Sequence, residues 1–272
     1  MSAINIPTIT IRGAGDLATG VALRLYRAGL TRLLLLETAN PLAVRRSVAF
    51  SEAVYHGEMT VEGIKATRVS SPDLIEKAWD NDTIPVLVDP EASSLTQVKP
   101  DVLVDAILAK RNIGTTMDQA PLVIGLGPGF TAGQDVHRVV ETKRGHHLGR
   151  VITDGPAAAN TGVPGVIEGF SIERVHWAAH EGTFTTPYDI GQMVEKGDII
   201  GTVNDTPVVA ALSGVIRGLL RDNTPVVKRT KLGDVDPRGT ISYCGEVSDK
   251  ALSIGGGVLE TICAHIFHLR HA

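Results

Sequence analysis

Gly13-Ala14-Gly15-Asp16-Leu17-Ala18 have the residue types and spacing to receive a phosphate. They match G-x-G-x-x-G/A, in which the first glycine permits a sharp turn and the second lets a pyrophosphate approach the backbone. The small sixth residue lets a helix pack closely on a strand. Glu37 follows roughly 20 residues on, where an acid would meet a ribose hydroxyl. Asp16 is discordant, because a carboxylate at a helix N-terminus competes with phosphate for the same N–H groups and the same positive dipole end. Two readings stay open: Asp16 caps the helix over a ligand-free turn, or Arg12 or a divalent cation bridges Asp16 and a bound phosphate.

Other polar groups stand at the ends of apolar runs. "VDAILAKRN" offers Asp105, Lys110 and Arg111, and "IGLGPGFTAGQD" makes a second glycine-rich turn through Gly125, Gly127, Gly129 and Gly133, with Thr131 among them. Ligands of open α/β sheets bind outside the carboxyl ends of strands, so both loops are expected to share a crevice with Gly13 and Gly15. The second turn lacks the Lys-Ser/Thr of a Walker A loop, and a plain loop with several positive φ angles accounts for it equally. "ETKRGHHLGRV" gathers Lys143, Arg144, His146, His147 and Arg150, an anion site or a subunit interface; adjacent histidines on a strand point to opposite faces and chelate poorly. Arg45 and Arg46 follow the second strand, as anion ligands or as a solvated helix face. His265, His268 and His271 recur at threes on the last helix without a carboxylate or cysteine beside them, so no metal site is expected.

The elements that would carry these groups alternate. Thr8–Ile11, Thr31–Glu37, Ile84–Asp89, Asp101–Leu108 and the run "PLVIGLG" read as buried strands, and "LATGVALRLYRAG" as a helix ended by Gly29. "PLAVRRSVAFSEAVY" reads as a helix entered through Pro41, "GEMTVEGIKATRVSS" as a hairpin, and "SPDLIEKAWD" as a helix capped by Ser71. The pattern predicts an α/β fold with a Rossmann-like, mainly parallel sheet over 1–173. From 174 to 240 the segments shorten and turn β-rich, and "GQMVEKGDIIGTV" is echoed by "NTPVVKRTKLGDVDP". This stretch resembles a biotinyl/lipoyl-type barrel-sandwich module. Its hairpin near Asn204-Asp205-Thr206 carries no lysine for a swinging cofactor, so a rigid platform is expected. Residues 241–272 hold Gly255, Gly256 and Gly257 ahead of a terminal helix, striped by Val258, Ile262, Ile266 and Leu269, that docks on the body.

At 272 residues, 43% apolar and 21% charged, the chain can bury a substantial core. A net charge of −4 gives no reason to expect nucleic acid or an acidic membrane as partner. The two cysteines, Cys244 and Cys263, have neither disulfide-framework nor C-x-x-C spacing and read as reduced thiols. With no signal-peptide pattern and no run of roughly 20 apolar residues, a cytoplasmic protein is expected.

Taken together, "RGAGDLATGVALRLYRAG", "PLAVRRSVAFSEAVYHGE", "VDAILAKRN", "VIGLGPGFTAGQDVHRVVETKRGHHLGRV" and "IGGGVLE" resemble the accessory proteins of the selenium-dependent molybdenum hydroxylase system, YqeB type. The N-terminal part is similar to the Rossmann-type domain of XdhC-like accessory proteins. The resemblance implies maturation or support of a molybdenum hydroxylase, with that client or its maturation proteins as partners, and it assigns no reaction and no catalytic residue. The residues add a phosphorylated small molecule, a nucleotide (NAD(P) or ATP) or, as the resemblance implies, molybdenum cofactor, held by Gly13, Gly15, Asp16, Glu37, Lys110, Arg111, Gly127, Gly129, Thr131, Gly133 and Arg144; homo-oligomerisation stays open. The alternatives are an NAD(P)-dependent oxidoreductase, with Asp105 and Lys110 as the first acid/base residues to test, and a ligand-free scaffold.

Overall fold

The computed structural model describes residues 6–271, with side chains through residue 267 at the C-terminal end. The chain divides into two compact units: Met1–Pro41, Ala49–Asn160 and Val247–Ala272 form the first, Leu42–Val48 and Thr161–Glu246 the second. Both are discontinuous in sequence, unlike the expected divisions at 173/174 and 240/241.

In chain order the first unit contains β1 (Ile9–Arg12), α1 (Asp16–Arg27), β2 (Leu33–Glu37), α2 (Ala53–His56), β3 (Glu58–Val61), β4 (Ile64–Val69), α3 (Ile75–Asp80), β5 (Ile84–Val88), α4 (Leu95–Val98), β6 (Val102–Asp105), β7 (Leu122–Leu126), β8 (Thr131–Ala132), β9 (Arg138–Val140), β10 (Val151–Ile152), β11 (Gly155–Pro156) and, from the chain's end, α5 (Asp249–His271). Nine strands form one sheet in the order β10-β9-β7-β6-β1-β2-β5-β4-β3, and β8 pairs separately with β11. The interior pairings are parallel, while β10 and β3 close both edges antiparallel.

The sheet is buried on both faces, which is why its central strands read as unbroken apolar runs. Leu34, Leu36, Leu103 and Val123 pack with Ile75, Ala78 and Phe130 in one core. The long helices α1 and α5 pack on each other. Their approach depends on missing side chains: a Cβ on Gly20 would lie 2.5 Å from the Ala251 Cβ, and one on Gly255 2.9 Å from the Arg24 Cβ, while at Gly257 a Cβ would collide with the Gly149 carbonyl in the loop before β10. Gly255, Gly256 and Gly257 therefore stand inside α5 and not ahead of it, and their role at Gly255 and Gly257 is close packing.

The second unit contains β12 (Val175–Trp177), β13 (Gly182–Thr185), β14 (Met193–Val194), β15 (Ile199–Val203), β16 (Thr206–Val209), β17 (Gly214–Leu219), β18 (Thr224–Val226) and β19 (Lys231–Asp236). They make two four-stranded sheets, β12-β19-β17-β14 and β16-β15-β13-β18, with antiparallel pairings throughout. Phe184, Ile200, Val203, Ile216, Leu219 and Leu232 are among its buried core residues. The echoed segments do share a layout, since each supplies a short strand to one sheet and a longer one to the other, β14 with β15 and β18 with β19.

The expected fold class is corrected by these findings. The large sheet is mixed and antiparallel at both edges, and its crossovers are not uniformly helical: α1 joins β1 to β2, whereas β6 reaches β7 through a single 3-10 turn at Met117–Gln119. The β-rich part is a pair of open antiparallel sheets that also takes in Leu42–Val48, not a contiguous barrel-sandwich module. The helix expected after Pro41 is likewise replaced by 3-10 turns at Arg46–Val48 and Phe50–Glu52 and the single turn of α2. Here tertiary bonds override helical periodicity: the Val44 carbonyl accepts from the Leu219 N–H, and Arg46 Nε donates to the Leu219 carbonyl. Ser71 makes no side-chain cap. Among the described residues no helix is long and apolar enough to cross a membrane.

Candidate functional site

The carboxyl ends of β7, β6, β1 and β2 lie side by side, with Arg12 directly opposite Asp105 in register. The sheet therefore brings Gly13, Asp105, Gly127 and Glu37 to the same end of four adjacent strands. What occupies their polar groups is decided by the surrounding chain.

At the first bend Gly13 has φ +100°, and its N–H donates to the Leu36 carbonyl at 2.7 Å. Glu37 is turned inward: one carboxylate oxygen accepts from the Ala14 N–H and the other from the Thr38 N–H, both at 2.8 Å. The carboxylate expected to hold a ribose instead staples β2 to the bend. Behind it the Thr19 hydroxyl donates to the Ala14 carbonyl and accepts from the Phe50 N–H, while the Ser51 N–H donates to that same carbonyl. Ala14 is consequently immobilised from three sides.

The start of α1 stays open. Gly15 is its N-cap with an extended backbone, no side chain caps the helix, and a Cβ at Gly15 would meet nothing within 4 Å. The capping role expected of Asp16 is not realised. Nor does Arg12 reach across to Asp16. It is 4% exposed, Nη1 donates to the Thr115 hydroxyl at 2.5 Å, and it lies 3.6 Å from Asp105. Thr115 in turn donates to Asp105 at 2.6 Å, and Asp105 also accepts from the Ile107 N–H. Asp105, 1% exposed, is the internal counterion of Arg12 and is not presented to a substrate. Thr115 is delivered by a loop wound around Asn112, whose side-chain oxygen accepts from the Gly114 and Thr115 N–H groups. Sequence reading missed Thr115, and its only signal was a charged pair at facing positions of two neighbouring apolar strands.

The second glycine turn is filled by its own chain. A Cβ at Gly127 would lie 2.2 Å from the Thr142 hydroxyl, and one at Gly129 2.6 Å from the Arg111 backbone. Thr131 sits in β8, its N–H donating to Asp135, and Gly133 donates to the Val136 carbonyl. Lys110 and Arg111 are exposed on the loop between β6 and β7, Lys110 with φ +63°. Arg144 is engaged by a bidentate pair with Asp249, the first residue of α5, at 2.7 and 2.8 Å. His146 and His147 lie in an exposed loop, not on a strand, with their rings edge to face. Among the described residues no group of three or more His, Cys, Asp or Glu could hold a metal ion; the side chains of His268 and His271 lie outside the described residues.

His137 closes the return from this turn. Its N–H donates to the Val123 carbonyl and its Nδ1 accepts from the Val123 N–H at 3.0 Å. Burial, then Arg138 and His265, hold its pKa below the ordinary histidine value. In the second unit burial does the same to His176. Between the native and unfolded pKa values the unfolded chain binds the extra proton, so the stability from these neutral imidazoles is complete above about pH 6.5 and is lost as pH falls through the native pKa. Thermal melts from pH 8 to pH 5 are expected to show Tm falling below about pH 6.5, and the His137→Gln chain is expected to show a shallower fall. An identical profile for that variant refutes the assignment.

A mixed α/β unit whose parallel strand ends present one open helix N-terminus, with a separate antiparallel β unit, is the class of protein that fold and site define. No family model matches the chain. It is similar to the uncharacterized protein YqeB of Escherichia coli (strain K12), with 50% identity over 254 residues, 93% of this chain and 47% of that protein. The chain thus spans about half the length of the curated relative it matches. Among solved structures it is similar to a succinylglutamatedesuccinylase/aspartoacylase from Rhodobacter sphaeroides (15% identity, 84% of each chain, TM-score 0.27) and to the product-bound ectoine utilization protein EutE (DoeB) from Ruegeria pomeroyi (13%, 84% of each chain, TM-score 0.25). At these scores the likeness identifies neither a shared site nor a shared activity.

Proposed function

We propose that the chain is a cytoplasmic accessory protein that matures or supports a selenium-dependent molybdenum hydroxylase, holding a phosphorylated cofactor or nucleotide at the N-terminus of α1. The observation that carries the ligand half is the open, uncapped helix start at Gly15. The first N–H groups of a helix have no partner within it, and with the positive end of the dipole they favour a phosphate. Molybdenum cofactor, NAD(P) and ATP all carry that group. Asp16, at the first helical position, disfavours a bare anion and favours one accompanied by a divalent cation. The identity with YqeB supports the likeness to the YqeB type alone; the role, and the client hydroxylase or its maturation proteins as partners, rest on the resemblance of the motifs. The ligand-free scaffold is favoured by a different observation, the self-filled turn at Gly127 and Gly129.

One titration separates the two. Gly15 has φ −67° and free space around its Cβ position, so Gly15→Val is expected to fold with stability within about 0.5 kcal/mol of the parent. The valine would occupy the place of the phosphate, and binding of molybdenum cofactor, NADPH or Mg-ATP by calorimetry is expected to weaken at least tenfold. Failure of the parent chain to bind any of the three eliminates the ligand half, and equal binding by both chains moves it elsewhere.

A further inference from the structure

A second feature, independent of the strand-end site, lies wholly within the second unit. A groove of about 480 Å³ is lined by Ile172, Glu173, Trp177, Val203, Pro207 and Val209, among others. Ile172, Trp177 and Val209 are 63%, 42% and 46% exposed, although three large apolar side chains around one depression are costly to leave in water. No lysine or arginine lines the groove, and Glu173 supplies a carboxylate, held ionised by backbone N–H groups that include that of Ser171. The walls come mainly from β12, from the 3-10 turn Ile172–Arg174 that leads into it, and from β16; β12 and β16 are each the outermost strand of their sheet. Pro207 removes an N–H from β16, and β12 has only three residues, so extension of either sheet by another strand is disfavoured. An occupant must engage the groove through side chains, apolar ones over Ile172, Trp177 and Val209 with a basic one toward Glu173.

The match to YqeB indicates where such an occupant comes from. A chain equivalent to 93% of this one makes up only 47% of that relative, so there the groove-bearing part is covalently joined to a comparable length of other polypeptide. Joining two modules turns their association into an intramolecular event at high effective concentration, and weakly matched surfaces then suffice. We propose that the groove between β12 and β16 seats an apolar, lysine- or arginine-bearing segment of a polypeptide that corresponds to the unmatched part of YqeB.

The test places a photo-reactive phenylalanine analogue at position 177 of the full chain, expressed in the cells it comes from, and identifies the cross-linked peptide by mass spectrometry. The expected product is a peptide from a polypeptide similar to the unmatched part of YqeB, whether joined to this chain or separate. Its yield is expected to fall at least tenfold with Ile172→Glu and with Glu173→Lys, and to be unchanged by Leu74→Glu, an exposed apolar residue of the first unit. Ile172 and Glu173 are both exposed, so these substitutions leave folding intact, which circular dichroism checks. Cross-linking to a second copy of this chain, to an unrelated protein, or to nothing overturns the proposal, as does a yield insensitive to the two groove substitutions.

Discussion

Asp105→Ala is expected to lower the unfolding free energy of the first unit by about 3–5 kcal/mol, the cost of leaving a buried charge without its partner. The Arg12 and Asp105 side chains are 5% and 2% exposed and Thr115 is fully buried between them, so water cannot replace the lost carboxylate. Thr115 would lose its acceptor, the Ile107 N–H would lose its own, and Arg12 would keep one neutral oxygen for a full charge. Asp105→Asn keeps an acceptor oxygen in place and is expected to cost less. The two tryptophans allow the effect to be localised, because Trp79 belongs to the first unit and Trp177 to the second. Urea unfolding followed through each indole, in chains with the other replaced by phenylalanine, should move the Trp79 transition. A loss below about 1 kcal/mol would mean that the pair is hydrated or replaceable. The same experiment bears on the oxidoreductase alternative, since an Asp105 enclosed with Arg12 and Thr115 is not presented to a substrate.

Asp234→Ala is expected to be as severe in the second unit, again about 3–5 kcal/mol. Asp234 and Asp236 stand two residues apart on β19 and so share a face. With three arginines they form a zigzag. Arg174 donates to Asp234 at 2.8 Å; Arg217 donates to Asp234 at 2.6 Å and lies 3.1 Å from Asp236; Arg238 donates to Asp236 at 2.6 and 2.9 Å. Removing Asp234 takes the carboxylate from two guanidinium groups at once. Arg217 retains Asp236. Arg174, 3% exposed and with a buried Nε that already lacks a partner, would keep its bond to the Gly165 carbonyl. Burial already pushes the Arg174 pKa down, and losing Asp234 removes the largest interaction that opposes this. Asp236→Ala, whose partners Arg217 and Arg238 are more exposed, is expected to cost less. Unfolding followed through Trp177 would show the order, and equal effects of the two substitutions would refute the ranking.

The elements legible beforehand were those specified by contiguous residues. The strands at Ile9–Arg12, Leu33–Glu37, Ile84–Val88, Val102–Asp105 and Leu122–Leu126 lie inside or within a residue of the runs that predicted them. The Glu-Gly turn between β3 and β4 and the Asn204-Asp205 turn between β15 and β16 follow from local backbone preference, with Glu62, Gly63 and Asn204 at positive φ. Pairing at the sheet edges, the passage of Leu42–Val48 into the second unit and the placing of the Gly255–Gly257 triplet within α5 were not legible, because each depends on which distant segment lies alongside.

The candidate site divides in the same way. Residue types and spacing by themselves determined that a glycine bend would end β1, that a helix would begin at once, and that several polar groups would stand at strand ends. Only the tertiary structure decided which of those groups remained free. Glu37 is taken by Ala14, Asp105 by Arg12 through Thr115, Arg144 by Asp249, and the second glycine turn by Thr142 and Arg111, leaving the helix start at Gly15 open. The physical reason is separation along the chain. Arg12 and Thr115 are 103 residues apart and Arg144 and Asp249 are 105, and a hydrogen bond across such a loop is set by the packing that brings its ends together, about which local spacing is silent.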